Sequence, residues 1–399
     1  MKQIFIIPLE TEEKEDTYIR SCKLDRYDED ALVKSAHLYY AFPKFISPPE
    51  KNDCDAYLTA ILMDAMSEQR KIIVRGSVSK LLLVNLMEFQ GCWNKWLPET
   101  YRKVEIQVNE IRHGQKVNHD AICAFSGGVD STFSVWRNYT NRNQIAAIHI
   151  KSCVFIHGFD IPLSYESTFS NAFETAKTTL KDINIELLPV KTNFREISNL
   201  NWEHNHLCAL VSCLNNLKSL AGICLIGSSK PYDGMVIPWG SNPVSDPLLS
   251  SGDFMVKHDG ATHSRIEKVN EIADWAMGCQ NLRVCWEGPL KDRNCGRCEK
   301  CLRTKMDFLV TSNFIPKCFP DWNEKIDLKG IKSKHMGVST AWKSILYYAE
   351  KKNYDKRFLL QIARCSKIHT PIKDKILPHG SRCRNLAIKL KRKLVAVFQ

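Results

Sequence analysis

Residues 121–138, AICAFSGGVDSTFSVWRN, constrain this chain more than any other stretch. A short apolar run breaks at Ser126-Gly127-Gly128-Val129-Asp130-Ser131-Thr132 and then turns amphipathic. The pattern predicts a buried strand, a tight turn and a helix. Two adjacent glycines admit backbone conformations closed to other residues and let a ligand approach the main chain closely. Ser131 and Thr132 fall where the helix opens, with hydroxyls and N–H groups to offer. A glycine-rich turn feeding a helix start is an anion site. No Gly-Lys-Ser/Thr follows and the spacing is not G-x-G-x-x-G, so neither common nucleotide loop is present.

From residue 118 onward, strand and helix alternate. Strands are expected at 145–156, 185–190 and 222–227, and helices at 167–181 and 205–220. Leu207, Leu210, Val211, Leu214 and Leu217 form one apolar stripe on the last of these. Such alternation predicts an α/β domain with a doubly wound parallel sheet, whose ligands sit beyond the carboxyl ends of the strands. The segments after the strands therefore join the loop as expected site residues, among them His157, Gly158, Gly227 and Ser228. Residues 230–262 form a long irregular stretch rich in aromatic and small polar residues, expected to order over a substrate as a lid. Arg265, Glu267 and Lys268 open the next helix, either as a solvated face or as contacts to a carboxylate or phosphate.

Residues 1–116 read as a separate α/β module. Strands are expected at 2–9, 71–76 and 103–108, and helices at 30–42, 55–66 and 79–93. Cys22, Cys54 and Cys92 are too dispersed for a metal site and read as core thiols.

Most of the 16 cysteines lie singly in apolar segments, as Cys123, Cys208, Cys213 and Cys224 do, which fits reduced thiols better than disulfides. Cys285, Cys295, Cys298 and Cys301 differ. Three stand at C-x2-C-x2-C spacing with the fourth ten positions earlier, a set able to enclose one tetrahedral Zn²⁺. An iron–sulfur cluster uses similar spacing. Zinc is preferred because charged residues fill the cluster and nothing else in the chain resembles electron transfer. The expected role is structural, presenting Arg297 or Arg303 to the cleft.

Charge is uneven. Residues 331–399 carry 17 Lys and Arg against 3 Asp and Glu, whereas the preceding 330 carry 39 against 41. Helices are expected at 338–352 and 354–365, then a basic segment at 382–398 with Leu386, Leu390, Leu394 and Val397 on one face. This tail suits an anionic membrane surface, RNA or an acidic protein partner, and equally a solubilising helix. The opening apolar run is too short for a signal peptide and no run nears the ~18 residues of a membrane span, so a cytoplasmic location is expected.

SGGVDS resembles the SGGxDS pyrophosphate loop of the PP-loop ATP pyrophosphatases, which split ATP between the α and β phosphates and transfer AMP to a substrate oxygen. With the cysteine cluster following, residues 118–310 resemble the 7-cyano-7-deazaguanine synthase family. There a deazapurine carboxylate is adenylated, ammonia displaces AMP to give an amide, and a second ATP drives dehydration to the nitrile. The resemblance implies ATP and Mg²⁺ at Ser126, Gly127, Gly128, Val129, Asp130, Ser131 and Thr132, with Asp130 and Ser131 catalytic, and Zn²⁺ on the four cysteines. About 117 residues precede the loop, and the lid lacks the family's tyrosine- and proline-rich phrase, which marks a diverged relative. Relatives with such extensions occur in phage-defence operons, where the activated acid is joined to an amine on a partner protein. The partners implied are thus a small carboxylic acid, ammonia or an amine, an RNA or protein on the tail, and a second copy of the chain. Two alternatives remain: an RNA-modifying PP-loop enzyme such as a tRNA thiolase or lysidine synthetase, and a zinc and basic-tail nucleic-acid binding module without enzymatic activity.

Overall fold

Strand β1 (Lys2–Pro8) buries Ile4 and Ile6 on alternate positions and pairs antiparallel with β3 (Thr17–Asp28), which the short β2 (Glu12–Lys14) flanks. The chain reverses at Glu29, whose φ of 56° is left-handed, into β4 (Ala31–Pro43). This computed structural model describes residues 2–368 apart from 114–117, 143, 146, 287, 324, 325, 334 and 335. The helix expected over 30–42 is the strand β4. Leu38, Tyr40 and Phe42 are buried at period two, and the strand pairs with β3 from Thr17↔Pro43 to Asp28↔Ala31. Its apolar residues fit either period, and the long hairpin partner, which no local pattern reveals, decides between them by satisfying the backbone.

Helix α1 (Asp55–Glu68), β5 (Lys71–Ser79), α2 (Lys80–Trp96) and β6 (Ile106–Arg112) complete the first third. Next come β7 (Ala121–Ala124), α3 (Val129–Thr140), β8 (Ile150–His157), α4 (Glu166–Lys181), β9 (Glu186–Thr192), the single turn α5 (Phe194–Ile197), α6 (Trp202–Asn215) and β10 (Ile223–Gly227). After an irregular segment follow β11 (Met255–Asp259), α7 (Arg265–Ile272), the short α8 (Ala276–Gln280) and α9 (Glu299–Ser312).

The 11 strands of the described residues form one sheet in the order β11-β10-β7-β8-β9-β4-β3-β1-β5-β6, with β2 beside β3. It is mixed rather than wholly parallel. An antiparallel block, β9-β4-β3-β1, joins two parallel flanks. The boundary expected near residue 116 falls inside this sheet, because β4 pairs with β9 at Tyr40↔Thr192 and Ala41↔Lys191, and residues 1–324 make one unit. A buried ion cluster crosses the same boundary: Lys218 lies 2.5 Å from Asp53 and 2.8 Å from Asp253, while Arg112 lies 2.9 Å from both Asp53 and Asp55.

Within the later flank, the strand order β9-β8-β7-β10-β11 reverses direction at β7, so the connections leaving β7 and β10 part on opposite sides. The crevice at such a reversal is where open sheets bind ligands. Both faces are buried there. Ile122, Val154, Ile156, Leu188 and Val190 join the core that includes α6, while Cys123, Cys153, Phe155 and Leu187 join Ala172, Ala176 and Leu180 of α4 on the other side. This explains the near-continuous apolar runs of these strands.

The stretch expected to be irregular through 262 is interrupted by β11, parallel to β10. MVKHD carries no apolar periodicity, and its pairing comes from the neighbouring strand. A second unit follows residue 324, in which α10 (Met336–Lys351) and α11 (Lys356–Cys365) bury Trp342, Ile345, Ala349 and Ile362. Both helices lie where their apolar patterning predicts, and the basic segment 382–398 lies outside the described residues. Among the described residues no helix is long and apolar enough to cross a membrane.

Candidate functional site

β7 ends at Ala124 and α3 begins at Val129, so SGGVDST is the last three residues of a four-residue turn and the first helical turn. Gly127 takes φ +74°, a conformation that side chains oppose. Its carbonyl accepts the Arg283 backbone N–H at 2.8 Å. Gly128 is the N-cap, and the first N–H groups of α3 have no partner within the helix. The Ser131 hydroxyl donates to the Gly128 carbonyl at 3.1 Å. Gly227, ending β10, is required by close packing: a Cβ there would stand 2.7 Å from the Asp130 carbonyl oxygen.

Above the loop is a cavity of about 120 Å³, whose wall includes Ser126, Gly128, Asp130, Arg265, Arg283 and Lys300. Positive charge converges on it from three segments. Lys268, on α7 and almost wholly buried, reaches the Asp130 carboxylate at 3.3 Å and donates to the Ser228 carbonyl. Arg265, one helical turn earlier, donates to the Thr304 hydroxyl at 2.9 Å. Arg283 donates to the Ser126 carbonyl at 3.2 Å and pairs with Asp160 at 2.7 Å. Lys300 comes from α9. Burial, then Arg265, pushes its ammonium down to about 8. Burial and Arg303 likewise lower Arg265 and Lys230. Burial by itself would raise the Asp130 carboxyl, but Lys268, Arg265 and Lys300 overcome it and hold the group below the usual carboxylate range. Cations that depress one another around one carboxylate mark a place where an anion lowers the energy.

Cys285, Cys295, Cys298 and Cys301 converge with their sulfurs all within 4.8 Å of one another. Cys285 and Cys298 are 3.7 Å apart, Cys295 and Cys301 3.9 Å. A tetrahedron with Zn–S bonds of about 2.3 Å has edges of about 3.8 Å, so the four fit a zinc ion. Backbone N–H groups of Gly288, Cys298 and Cys301 donate to Cys285, Cys295 and Cys298 at 3.3–3.4 Å, support that suits thiolates. Asn294 ties the cluster down, accepting from Val284 and Cys285 and donating to Leu282 and Cys318. The cluster packs against Val129 and Phe133 of α3, and Cys285 itself lines the cavity.

Of the expected site residues, Ser126, Gly128, Val129, Asp130 and Ser131 line the cavity. Thr132 is buried behind them, its N–H bonded to the Gly128 carbonyl. His157 is not in the cavity wall. Its ring stacks on Phe169 at 4.3 Å and its Nε2 is 3.0 Å from the Pro162 carbonyl. Gly158 is positioned against Thr192 of the neighbouring strand. Ser228 lines a second, adjoining pocket. Arg297 is exposed, and Arg283 and Lys300 line the cavity instead. Nothing in their local sequence marks these two, because they arrive through loops and helix starts brought in by the cysteine cluster. The opening of α7 divides: Glu267 accepts the Ser264 N–H at 2.7 Å as a helix cap, while Arg265 and Lys268 turn to the loop. Comparison with family models, curated proteins and solved structures finds no match for this chain.

Proposed function

We propose that this chain is an AMP-forming, ATP-dependent ligase of the PP-loop type, a diverged relative of the 7-cyano-7-deazaguanine synthases. It adenylates a deazapurine-like carboxylate, and ammonia or an amine then displaces AMP. The observation that carries this reading is SGGVDST at the reversal of strand order, with Arg265, Arg283 and Lys300 lining its cavity and Lys268 paired with Asp130. The five-strand order β9-β8-β7-β10-β11 with helices on both faces supports the fold assignment.

In the first step a substrate carboxylate oxygen attacks the α phosphorus, the bond to the β-phosphate oxygen breaks, and pyrophosphate leaves. Negative charge gathers on the leaving group, and the loop N–H groups with Arg265, Arg283 and Lys300 would stabilise that charge. In the second step a nitrogen attacks the acyl carbon, the bond to AMP breaks and an amide results. Asp130, with phosphate oxygens, would hold Mg²⁺, which supplies further charge neutralisation when bound. The cysteine cluster would hold Zn²⁺ with no open position, and its role is to fix Arg283 and Lys300 at the cavity.

Incubation with ATP and 7-carboxy-7-deazaguanine, followed by nucleotide chromatography, is the test. AMP and pyrophosphate in equal amounts are expected; ADP with orthophosphate, or no acid-dependent AMP, overturns the reading.

A further inference from the structure

Beside the cation cavity lies a narrower pocket whose wall includes Ser228, Lys230, Val236, Trp239, Asn242 and His258. The buried Lys268 ammonium stands between the two, bonded to the Ser228 carbonyl on one side and to Asp130 on the other. His258 stands near the end of β11 with its side chain 5% exposed. Its Nδ1 is 2.7 Å from the carboxylate of Asp246, which is completely buried. That carboxylate is itself fixed, accepting the Ser241 hydroxyl at 2.8 Å and the Asn242 N–H at 2.6 Å. A carboxylate on Nδ1 keeps the ring proton there and leaves a lone pair on Nε2. Nε2 is buried and has no hydrogen-bond partner among the described residues. An imidazole oriented by a carboxylate, with its other nitrogen buried and unpartnered at the wall of a pocket, is the arrangement of a general base. Free space in the pocket is about 10 Å³, room for one molecule of water size.

The geometry points to His258 as the base that activates ammonia in the second half-reaction, with Asp246 as its positioning residue; this rests on the adenylation reading above. Ammonium enters the pocket and gives a proton to Nε2. The freed nitrogen attacks the acyl carbon, the C–N bond forms, the acyl C–O bond breaks and AMP leaves with the electron pair. A second nitrogen proton passes to solvent as the amide forms. Asp246 stabilises the imidazolium without taking the proton.

The test uses His258→Gln in the full chain with ATP, 7-carboxy-7-deazaguanine and either ammonium chloride or hydroxylamine. Hydroxylamine is already unprotonated at neutral pH and needs no base. Amide formation from ammonium is expected to fall about 100-fold or more, while hydroxamate formation stays within about threefold of the parent. Asp246→Asn should show the same selective loss, a split that damage to the pocket would not produce. Equal losses with both nucleophiles, or none with either, overturn the assignment of His258 alone. A parent protein that forms no product with either nucleophile overturns the adenylation reading and this one with it.

Discussion

Replacing Asp130 with asparagine separates an ATP-cleaving site from a merely cationic one, because it moves two observables in opposite directions. The carboxylate lies 3.3 Å from the Lys268 ammonium. At an effective dielectric of about 20 that pair is worth ~5 kcal/mol of gross attraction. Against this stand the desolvation of both groups and the fact that 30% of the Asp130 side chain still meets water. The net loss on substitution is therefore ~1–2 kcal/mol, between an exposed and a fully buried pair. A fall in melting temperature of about 1–3 °C is the consequence for a unit of this size. Without metal, pyrophosphate should bind Asp130→Asn more tightly than the parent, since a negative charge has left a cavity walled by Arg265, Arg283 and Lys300. AMP formation should fall about 100-fold or more, since the charge that positions metal on the leaving pyrophosphate is gone. Calorimetric titration with pyrophosphate and chromatography of nucleotides measure the two effects. Near-parental AMP formation, or weaker pyrophosphate binding in the absence of metal, would refute the reasoning.

Three further outcomes are expected. Purified protein should hold one zinc per chain, and Cys298→Ser should lose it and unfold at lower temperature, because metal binding is folding free energy here; elemental analysis showing stoichiometric iron with a visible absorption band would point to the other metal. Burial pushes the Asp64 carboxyl up to about 7, with the Ser198 hydroxyl bond only partly opposing it. The folded state therefore keeps a proton that the unfolded chain releases near pH 4, so this group's contribution to stability falls as pH rises from about 4 to about 7, by on the order of 4 kcal/mol. Urea melts of parent and Asp64→Asn at both ends of that range check the sign, and a difference that does not change with pH contradicts it. Gly227→Ala should cost about 1–3 kcal/mol and at least about tenfold in AMP formation, because the added Cβ meets the Asp130 carbonyl oxygen at 2.7 Å and has to displace the start of α3; a high-temperature melt with unchanged kinetics would show that the loop tolerates the shift.

The sequence by itself determined the features whose geometry is local. SGGVDST makes its turn and helix start within seven residues, and Cys295, Cys298 and Cys301 lie within one turn and the helix it opens. Short-range backbone preferences fix such elements whatever surrounds them. The helices of the later flank were legible for the same reason, since an apolar stripe at helical spacing is written in consecutive residues. Tertiary structure decided the rest. β3 and β4 exist because they pair with each other, and MVKHD is a strand because β10 lies beside it. The first 116 residues share one sheet with the later strands because β4 meets β9 across about 150 residues of sequence. The site's charge was hidden in the same way. Asp130 meets Lys268 across a separation of 138 residues, and Arg283 meets Ser126 across 157. Each of these cations has the local sequence of an ordinary surface residue, and only the packing that gathers them near one carboxylate makes a cationic cavity of them.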